Sequence, residues 1–409
     1  MLRLTKLEIR KFDGVEPTTL TFGPGFNVLL GKNATGKTTL LEIIAAIIGD
    51  HFETLSHRSQ EIDIAYELST AAGPMSVELE VHPPVLAMDQ VLEFDAPIAS
   101  AETREVRVSG RAADREFDFA SGGGGIIDSV SQQPVKVPAS LIWTPRFLMV
   151  FAVWKAPAAA FKWRVANDEG RLDEGLRVWD RWLGSGEASN VLRHVTIDAI
   201  GHTMATGAAP GVLRDVFAEA AEGALPREQL KLEATKLAPL RQAVELFGLR
   251  DARLTYTLRS SDPIRDRGWS AYYSGALTFE RHDGSVFPAD WLSFGQKRML
   301  TFLLYEASTR GTPAVLDELV NGLHYEWVEL CVEKLRDRQS FVTAQNPLIL
   351  DLLGFESVEQ VRETFVQCAR VDGRMAWTNF TEAQAKAFYE AYEVGIQHVH
   401  EVLRDQGLW

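Results

Sequence analysis

The sequence predicts an α/β fold, and three observations support that prediction. Residues 26–30 form a short apolar run that indicates a buried strand, and residues 40–48 form an apolar helical run beyond a glycine-rich loop. Residues 314–318 form a second apolar run, which ends in two acidic residues. Residues 151–250, between these halves, have mostly helical patterns separated by prolines. We therefore expect an α/β domain that is split by a mainly helical insertion.

The glycine-rich loop at residues 31–38, the phosphate loop, has the pattern G-x-x-x-x-G-K-T and lies between a strand and a helix, as this motif requires. Its glycines let backbone N–H groups approach phosphate oxygens closely, and the helix N-terminus adds partial positive charge. We expect Lys37 to reach the β- and γ-phosphates of a nucleotide, and the Thr38 hydroxyl to hold Mg²⁺. The predicted cofactor contacts in this segment are Gly31, Asn33, Thr35, Gly36, Lys37, Thr38 and Thr39.

The acidic pair at Asp317 and Glu318 predicts the chemistry of the second half of the chain. If the preceding apolar run is a buried strand that ends beside the phosphate loop, Asp317 can bind Mg²⁺ directly or through water. Glu318 follows it and is a candidate general base that polarises the attacking water. Without the surrounding motifs, the same run would indicate only a strand that ends at the surface.

Alternating apolar residues predict further strands on both sides of the insertion. These strands are residues 4–9, 20–22, 62–68, 75–81, 104–108, 117–119, 254–258 and 276–281. Asp283-Gly284 predicts a hairpin after the last of them, and residues 230–247 predict one helix of the insertion. A capping-box pattern at residues 381–384 opens a helix whose apolar stripe, from residue 388 to residue 403, is expected to pack inside the protein.

The composition limits the class of protein. The chain has 409 residues, enough for two or three domains, and 46% of them are hydrophobic, as in ordinary globular proteins. Cys331 and Cys368 are far apart without ligand-like spacing, which predicts a reducing cytoplasm. The first residues lack a secretory-signal pattern, and the longest apolar stretch, residues 147–154, is too short to span a bilayer. The formal net charge of −14 disfavours broad adhesion to nucleic acid but is compatible with a local basic groove.

Four segments together resemble one group of proteins. Residues 31–39, 292–298, 314–318 and 321–324 are similar to the ABC-type ATPase heads of the SMC, RecF and OLD group. The nearest resemblance is to small prokaryotic OLD-like ATPases of the AAA family, in which the acidic pair is followed by Gly-Leu-His. The resemblance implies a mixed sheet with flanking helices and an antiparallel β subdomain. It also implies that ATP and Mg²⁺ are the cofactors and that a homodimer closes on two ATP molecules.

By the same resemblance, residues 292–296, the signature segment, contact the ATP bound by the opposite subunit. The implied contacts are Ser293, Gly295 and Gln296. The next two residues, Lys297 and Arg298, are expected to add positive charge in the first turn of the helix that begins there. Residues 321–324 would form the loop that contacts the opposite subunit.

The sequence departs from the group at Gln345, which occupies the position of a switch histidine. Glutamine can hydrogen-bond a γ-phosphate or a water, but it cannot become cationic. The resemblance therefore implies catalytic roles for Glu318, Lys37 and Gln345, with slow or partner-dependent turnover. Many OLD relatives also carry a nuclease module after the ATPase, and too few residues follow residue 347 to form one.

These inferences define three expected domains and three functional hypotheses. Residues 1–150 would form the N-terminal half of the ATPase domain with the β subdomain, residues 151–250 the helical insertion, and residues 251–409 the C-terminal half. The first hypothesis is a cytoplasmic, ATP-hydrolysing switch protein that dimerises and acts with a separate effector, with antiviral defence as the family-level implication. The alternative is a DNA-repair or chromosome-associated ATPase that resembles RecF or SMC heads and needs a basic groove. A transporter ATPase subunit is the third hypothesis, which the inserted block disfavours.

Overall fold

The chain divides into two units. The computed structural model describes residues 2–49, 55, 58–70, 73–82, 106–112, 115–122, 125–128, 133–135, 228–233, 237–264, 268–308, 313–343, 348–395 and 397–407. Unit 1 comprises residues 1–165, 355–397 and 402–409, and unit 2 comprises residues 166–354 and 398–401. Most of the predicted helical insertion, residues 151–227, lies outside the described residues, so the domain limits stay a prediction.

Strands and helices both occur throughout the described residues, which confirms the predicted α/β class. In chain order the first elements are β1 (Arg3–Lys11), β2 (Thr18–Thr21), β3 (Phe26–Leu30), α1 (Lys37–Gly49), β4 (Ile62–Thr70), β5 (Gly73–Val81), β6 (Val106–Ala112), β7 (Arg115–Gly122), β8 (Gly125–Asp128), β9 (Gln133–Val135), β10 (Gln229–Glu233), α2 (Ala238–Leu246), β11 (Asp251–Ile264), β12 (Gly268–Glu280) and β13 (Val286–Pro288). The later elements are α3 (Phe294–Ser308), β14 (Ala314–Leu316), α4 (Tyr325–Leu335), β15 (Ser340–Thr343), α5 (Leu348–Asp351), α6 (Val358–Thr364), β16 (Phe365–Val371), β17 (Arg374–Asn379), α7 (Glu382–Val394) and α8 (Val399–Asp405).

Unit 1 contains an eight-stranded sheet in the order β2-β1-β4-β5-β6-β7-β8-β9. All its neighbouring strands pair antiparallel. Buried side chains alternate with more exposed ones along β4 and β5, and Ile64 and Leu79, which face each other in register, are both buried. This sheet confirms the antiparallel β part that the sequence predicted.

The phosphate loop of unit 1 follows β3, which pairs in parallel with β16. β16 continues into β17 through a tight turn at Asp372 and Gly373, where φ is 48° and 82°. Positive φ at both central residues fits the right-handed twist of a two-residue hairpin. β3 is buried along most of its length, and α1 has buried apolar residues throughout. The predicted order of strand, glycine loop and helix is confirmed.

The C-terminal helix of the prediction is in fact two helices, α7 and α8. The predicted capping box is present, because the backbone N–H of Gln384 donates to the Thr381 hydroxyl at 3.2 Å and the Gln384 side chain accepts from the Thr381 N–H at 2.9 Å. The helix then ends at Gly395, whose φ of 68° is left-handed. The expectation of one continuous helix to residue 403 was therefore wrong, although Phe388 and Leu403 are both buried as expected.

Unit 2 contains an antiparallel sheet in the order β10-β11-β12-β13. The predicted hairpin after β12 is confirmed, because Gly284 has φ 83° and its N–H donates to the Arg281 carbonyl at 2.9 Å. β14 and β15, which are both buried along their length, pair in parallel. The end of β14 leads directly into the acidic pair.

The prediction of one helix over residues 230–247 was wrong, because its first part is β10 and pairs with β11. α2 begins only at Ala238, and Pro239 lies in its first turn. Proline has no N–H to donate and its fixed φ suits the first turn of a helix, and Leu237, just before the helix, is extended with a ψ of 106°. The apolar residues of the segment therefore belong to two elements with different periods.

Candidate nucleotide site

The phosphate loop has a backbone that few residue types adopt. Gly31 and Gly36 have φ of 147° and 87°, and Ala34 has φ of 63°. Positive φ is open to glycine and strained for other residues. α1 begins directly afterwards, with the N–H of Leu40 donating to the Gly36 carbonyl at 2.9 Å. The loop therefore leads directly into the first turn of α1, and the start of a helix is a common site for phosphate.

Lys37 is buried, and its ammonium group is held inside the loop. Its Nζ donates to the carbonyl oxygens of Gly31 at 2.7 Å and Lys32 at 2.9 Å. The Thr35 hydroxyl donates to the same Lys32 carbonyl at 2.8 Å, which closes the loop from the other side. The positive charge is thus fixed at the centre of the loop before any ligand is considered.

The other predicted contacts of the loop differ in exposure. Thr35 is buried, Asn33 and Thr38 are exposed, and Thr39 is intermediate. An exposed hydroxyl at the start of α1 is the oxygen donor that Mg²⁺ requires from this motif. Thr38 therefore fits the metal role that the sequence assigns to it, and Asn33 has its side chain toward solvent.

The β16–β17 hairpin packs against the phosphate loop at both glycines. A side chain at Gly31 would overlap with the backbone carbonyl of Cys368, and one at Gly36 would overlap with Met375. Trp377 is fully buried, and its Nε1–H donates to the Thr35 carbonyl at 3.2 Å. Sequence reasoning missed this support, because Met375 and Trp377 resemble ordinary core residues of a late hairpin.

In unit 2, the acidic pair forms a tight turn after β14, here called the acidic turn. The Asp317 carboxylate accepts a hydrogen bond from the Thr343 hydroxyl at 2.5 Å. The same hydroxyl accepts from the Glu318 N–H at 2.7 Å, so one side chain of β15 holds both acids. The Glu318 carboxylate accepts from Asn321 Nδ2 at 2.7 Å. The oxygen donors of Asp317 fit Mg²⁺, and the sequence analysis did not anticipate the role of Thr343.

Glu318 has left-handed backbone, with φ of 49°. This conformation is uncommon for a residue with a side chain, and it persists where surrounding contacts impose it. Here the N–H, the carbonyl and the carboxylate of Glu318 are all hydrogen-bonded, to Thr343, Arg298 and Asn321 respectively. The candidate general base therefore has a fixed direction.

The sequence predicted that Arg298 adds positive charge at the exposed N-terminus of α3, and this prediction was wrong. It is 1% exposed and turns inward, where its Nε donates to the Leu319 carbonyl at 3.0 Å. Its Nη2 donates to the carbonyls of Glu318 and Asp317. Burial lowers the pKa of Arg298 from its ordinary value, and the negative charges of Glu318 and Asp317 oppose that shift. The helical pattern did not reveal that the Arg298 side chain points inward, because that direction depends on where β14 ends.

The signature segment begins α3 and caps it. The Ser293 N–H donates to the Gln296 side chain at 2.9 Å, and the Gln296 N–H donates to the Ser293 hydroxyl at 3.3 Å. A Cβ on Gly295 would lie 2.6 Å from the Gly322 carbonyl oxygen, so α3 and the loop after the acidic turn pack without space for a side chain. Ser293 itself is exposed.

The predicted site residues therefore fall into two groups, each ordered within its own unit. Unit 1 brings together the loop residues from Gly31 to Thr39, and unit 2 brings together the acidic turn with α3. Gln345 lies outside the described residues, and its catalytic role stays a prediction. None of the helices in the described residues is long and apolar enough to cross a membrane.

Comparison with known proteins gives similarity to one class of ATPase. Residues 6–127 match the family model described as AAA domain. The chain is 28% identical to the DNA replication and repair protein RecF of Marinobacter nauticus over 203 residues, which cover 45% of this chain and 52% of that protein. It is 39% identical to the Smc-like protein Sph2 of Halobacterium salinarum over 56 residues, which cover 14% of this chain and 8% of Sph2.

A solved structure of the recombination mediator protein RecF-ATPrS in the RecFOR pathway matches with a TM-score of 0.42 and 12% identity, covering 93% of this chain and 98% of that one. The chain spans about half the length of the RecF relative that it matches in sequence. The similarity is to AAA-domain proteins of the RecF and SMC type, which bears out the broader part of the predicted resemblance. The nearer resemblance to OLD-like ATPases stays a prediction.

Proposed function

We propose that the chain is an ATPase of the RecF and SMC type that binds Mg-ATP, closes as a homodimer on two nucleotides and works on or near DNA. The observation that carries the proposal is the phosphate loop, in which the buried Lys37 ammonium sits on loop carbonyls directly before a helix N-terminus. A fixed cation beside the N-terminus of a helix favours a polyphosphate over a neutral ligand. The similarity to RecF and Smc-like proteins supports the nucleotide assignment.

Hydrolysis would be the task of the acidic turn. When bound, Mg²⁺ neutralises charge on the phosphate oxygens, and Thr38 and Asp317 are the residues that we assign to hold it. Glu318 would accept a proton from the attacking water, because the direction of its carboxylate is fixed by Asn321. Gln345 is the further residue that the sequence assigns to this step.

Dimer closure would use the signature segment. Ser293 is exposed at the start of α3, so it can contact a ligand on another molecule without rearrangement of the helix. Ser293→Arg should leave ATP binding intact but block ATP-dependent dimer formation and hydrolysis, because its bulk replaces the hydroxyl at the interface. Light scattering with and without Mg-ATP measures the dimer. Full hydrolysis by Ser293→Arg where scattering shows only monomer would overturn the dimer mechanism.

Mixing two inactive variants gives a sharper test of the same mechanism. In a heterodimer of Ser293→Arg with Lys37→Ala, the intact phosphate loop of the first chain faces the intact signature segment of the second. One complete site therefore forms, and ATP hydrolysis should rise above the sum of the two separate rates. A site contained within one chain predicts no such increase.

The nucleotide assignment itself is tested with Lys37→Ala. Removal of the loop cation should greatly weaken Mg-ATP binding measured by titration calorimetry. Lys386→Ala is the matched control, since it removes the same charge from an exposed position on α7, where Lys386 pairs only at the surface with Glu390. Equal ATP affinity in Lys37→Ala and Lys386→Ala would refute the role of the loop.

The OLD-like switch that acts with an effector in antiviral defence remains a second candidate. It is favoured by the Asn-Gly-Leu-His sequence at residues 321–324 and by the net charge of −14, which weakens general attraction to DNA. Titration of double-stranded DNA in the presence of a non-hydrolysable ATP analogue, at several salt concentrations, separates the two. Saturable binding whose affinity falls steeply with salt supports the DNA-associated function. No binding at low salt supports the switch.

A further inference from the structure

Arg298 is unusual because it is a fully buried arginine whose partners are backbone carbonyls. Its side chain leaves the first turns of α3 and is 1% exposed. Its Nε and Nη2 atoms donate to three successive carbonyl oxygens, those of Asp317, Glu318 and Leu319. Burial of a charged group costs free energy, and the three hydrogen bonds offset part of that cost.

The three carbonyls belong to the acidic turn, where the backbone changes direction. β14 ends at Leu316, and the left-handed φ of 49° at Glu318 makes the turn. An extended or helical backbone at this position would rotate the Glu318 side chain away from its present direction. Three donors from one planar guanidinium fix successive carbonyls at once, which one ammonium group with flexible geometry does poorly.

A second contact holds the turn from the opposite side. The Thr343 hydroxyl on β15 binds the Glu318 N–H and the Asp317 carboxylate. Arg298 on α3 binds the carbonyls of the same two residues. The turn is therefore held between a helix and a strand, and the positive charge of Arg298 interacts favourably with the charges of Glu318 and Asp317.

We propose that Arg298 is a positioning residue for ATP hydrolysis, which holds the acidic turn in the left-handed conformation that directs the Glu318 carboxylate. This inference rests on the proposed function, since it assigns the hydrolytic step to Glu318. Arg298 does not touch the nucleotide in this mechanism, and it acts through the backbone of the turn. A misplaced general base slows the chemical step while leaving substrate binding at the phosphate loop intact.

A purely structural role for Arg298 predicts a different result, and Tyr305→Phe is the matched control. Tyr305 lies on the same helix, is also 1% exposed, and its hydroxyl accepts from the Val315 N–H of β14 at 2.8 Å. Its removal therefore breaks a buried hydrogen bond between the same helix and the same strand, but outside the acidic turn. If Arg298 only joins α3 to β14, Arg298→Met and Tyr305→Phe should both lower the thermal stability, and their kcat values should be the same.

The experiment measures kcat and KM for ATP, ATP-analogue affinity and melting temperature for wild type, Arg298→Met, Arg298→Lys and Tyr305→Phe. We expect kcat to fall about 10- to 100-fold in Arg298→Met, with KM and analogue affinity within about twofold of wild type, as for a displaced catalytic group. Arg298→Lys should recover part of kcat, because it keeps the charge and a donor. Tyr305→Phe should keep a kcat close to that of wild type.

The outcomes separate this inference from the proposed function. A kcat in Arg298→Met and Arg298→Lys equal to that of Tyr305→Phe would overturn the positioning role while leaving the ATPase assignment standing. An Arg298→Met protein that does not fold leaves Arg298→Lys to decide the question by the same comparison. If wild type binds ATP analogues but does not hydrolyse ATP under any condition that forms the dimer, the hydrolytic function and this inference both fail.

Discussion

Replacement of Gly36 by alanine should weaken nucleotide binding, because two separate features of the loop exclude a side chain there. The φ of 87° is left-handed, which costs an L-residue about 1–2 kcal/mol. The new Cβ would also overlap with the Met375 side chain, and overpacking of this kind typically costs about 1–3 kcal/mol. In the variant, the free loop relaxes to another conformation that avoids both costs. The loop must return to the wild-type conformation when phosphate binds, so binding then carries both costs. The sum of about 2–5 kcal/mol therefore weakens affinity about 30-fold or more.

The two costs can be measured separately with a second substitution. Met375→Ala removes the two nearest atoms, but it leaves the Trp377 ring 3.1 Å from the new Cβ and the backbone at Gly36 left-handed. The Gly36→Ala, Met375→Ala double variant should therefore bind at least about 5- to 30-fold more weakly than Met375→Ala alone, a loss due to backbone strain together with the remaining contact to Trp377. The coupling energy of the double-mutant cycle gives the overlap term.

Titration calorimetry with a non-hydrolysable ATP analogue and Mg²⁺ is the assay. Gly25→Ala is the control, because a Cβ on Gly25 would have nothing within 4 Å, and its affinity should match that of wild type. Wild-type affinity in Gly36→Ala would show that the loop adapts freely and would refute the reasoning. A cycle with no coupling energy would show that the Met375 side chain moves away without cost.

Three further outcomes are expected. Glu318→Gln should bind ATP but release phosphate about 10²- to 10⁴-fold more slowly, because the amide cannot accept a proton, and wild-type phosphate release would assign water activation elsewhere. Gly295→Ala should lower the free energy of unfolding in urea by about 1–3 kcal/mol, because its Cβ meets a backbone oxygen at 2.6 Å, whereas Gly354→Ala, with nothing within 4 Å, should change it little. Both cysteines are buried, and burial raises the pKa of the Cys368 thiol to about 12. Neither thiol should therefore react with a thiolate-specific reagent at pH 8 until the protein unfolds, and rapid labelling of the native protein would contradict the burial.

The features that local sequence determines were predicted well. The phosphate loop, the Gly284 hairpin and the capping box at Thr381 each depend on a few neighbouring residues whose side chains or φ values select one conformation. Strand positions such as β4 and β5 followed from alternation with period two. These signals need no knowledge of distant parts of the chain.

Helix boundaries failed where a local signal competed with a longer apolar pattern. Gly395 ends α7 although apolar residues continue at helical spacing beyond it. Before α2, Leu230 and Leu232 of β10 lie two positions apart, which is a strand spacing within the longer apolar segment, and pairing with β11 establishes the strand. In both segments the apolar pattern correctly predicted several buried residues but not the element that buries them.

In the candidate site, the residues that resemble a motif were predicted, and the residues that support them were not. Asp317 and Glu318 were recognised because they follow an apolar strand, whereas Thr343 and Arg298 reach them from other elements. No spacing rule links these positions, since their contact depends on how α3, β14 and β15 pack. The inward turn of Arg298 is a tertiary property that a helical pattern alone assigns to the surface.

The hydrogen bond between Trp377 and Thr35 joins residues that are 342 positions apart in the chain. At a synthesis rate of about 5–20 residues per second, roughly 17–70 seconds separate the emergence of the loop from that of its supporting hairpin. During that interval the loop lacks the buried indole and the Met375 side chain that hold it. A nascent chain on the ribosome should therefore bind ATP weakly until the β16–β17 hairpin has been made.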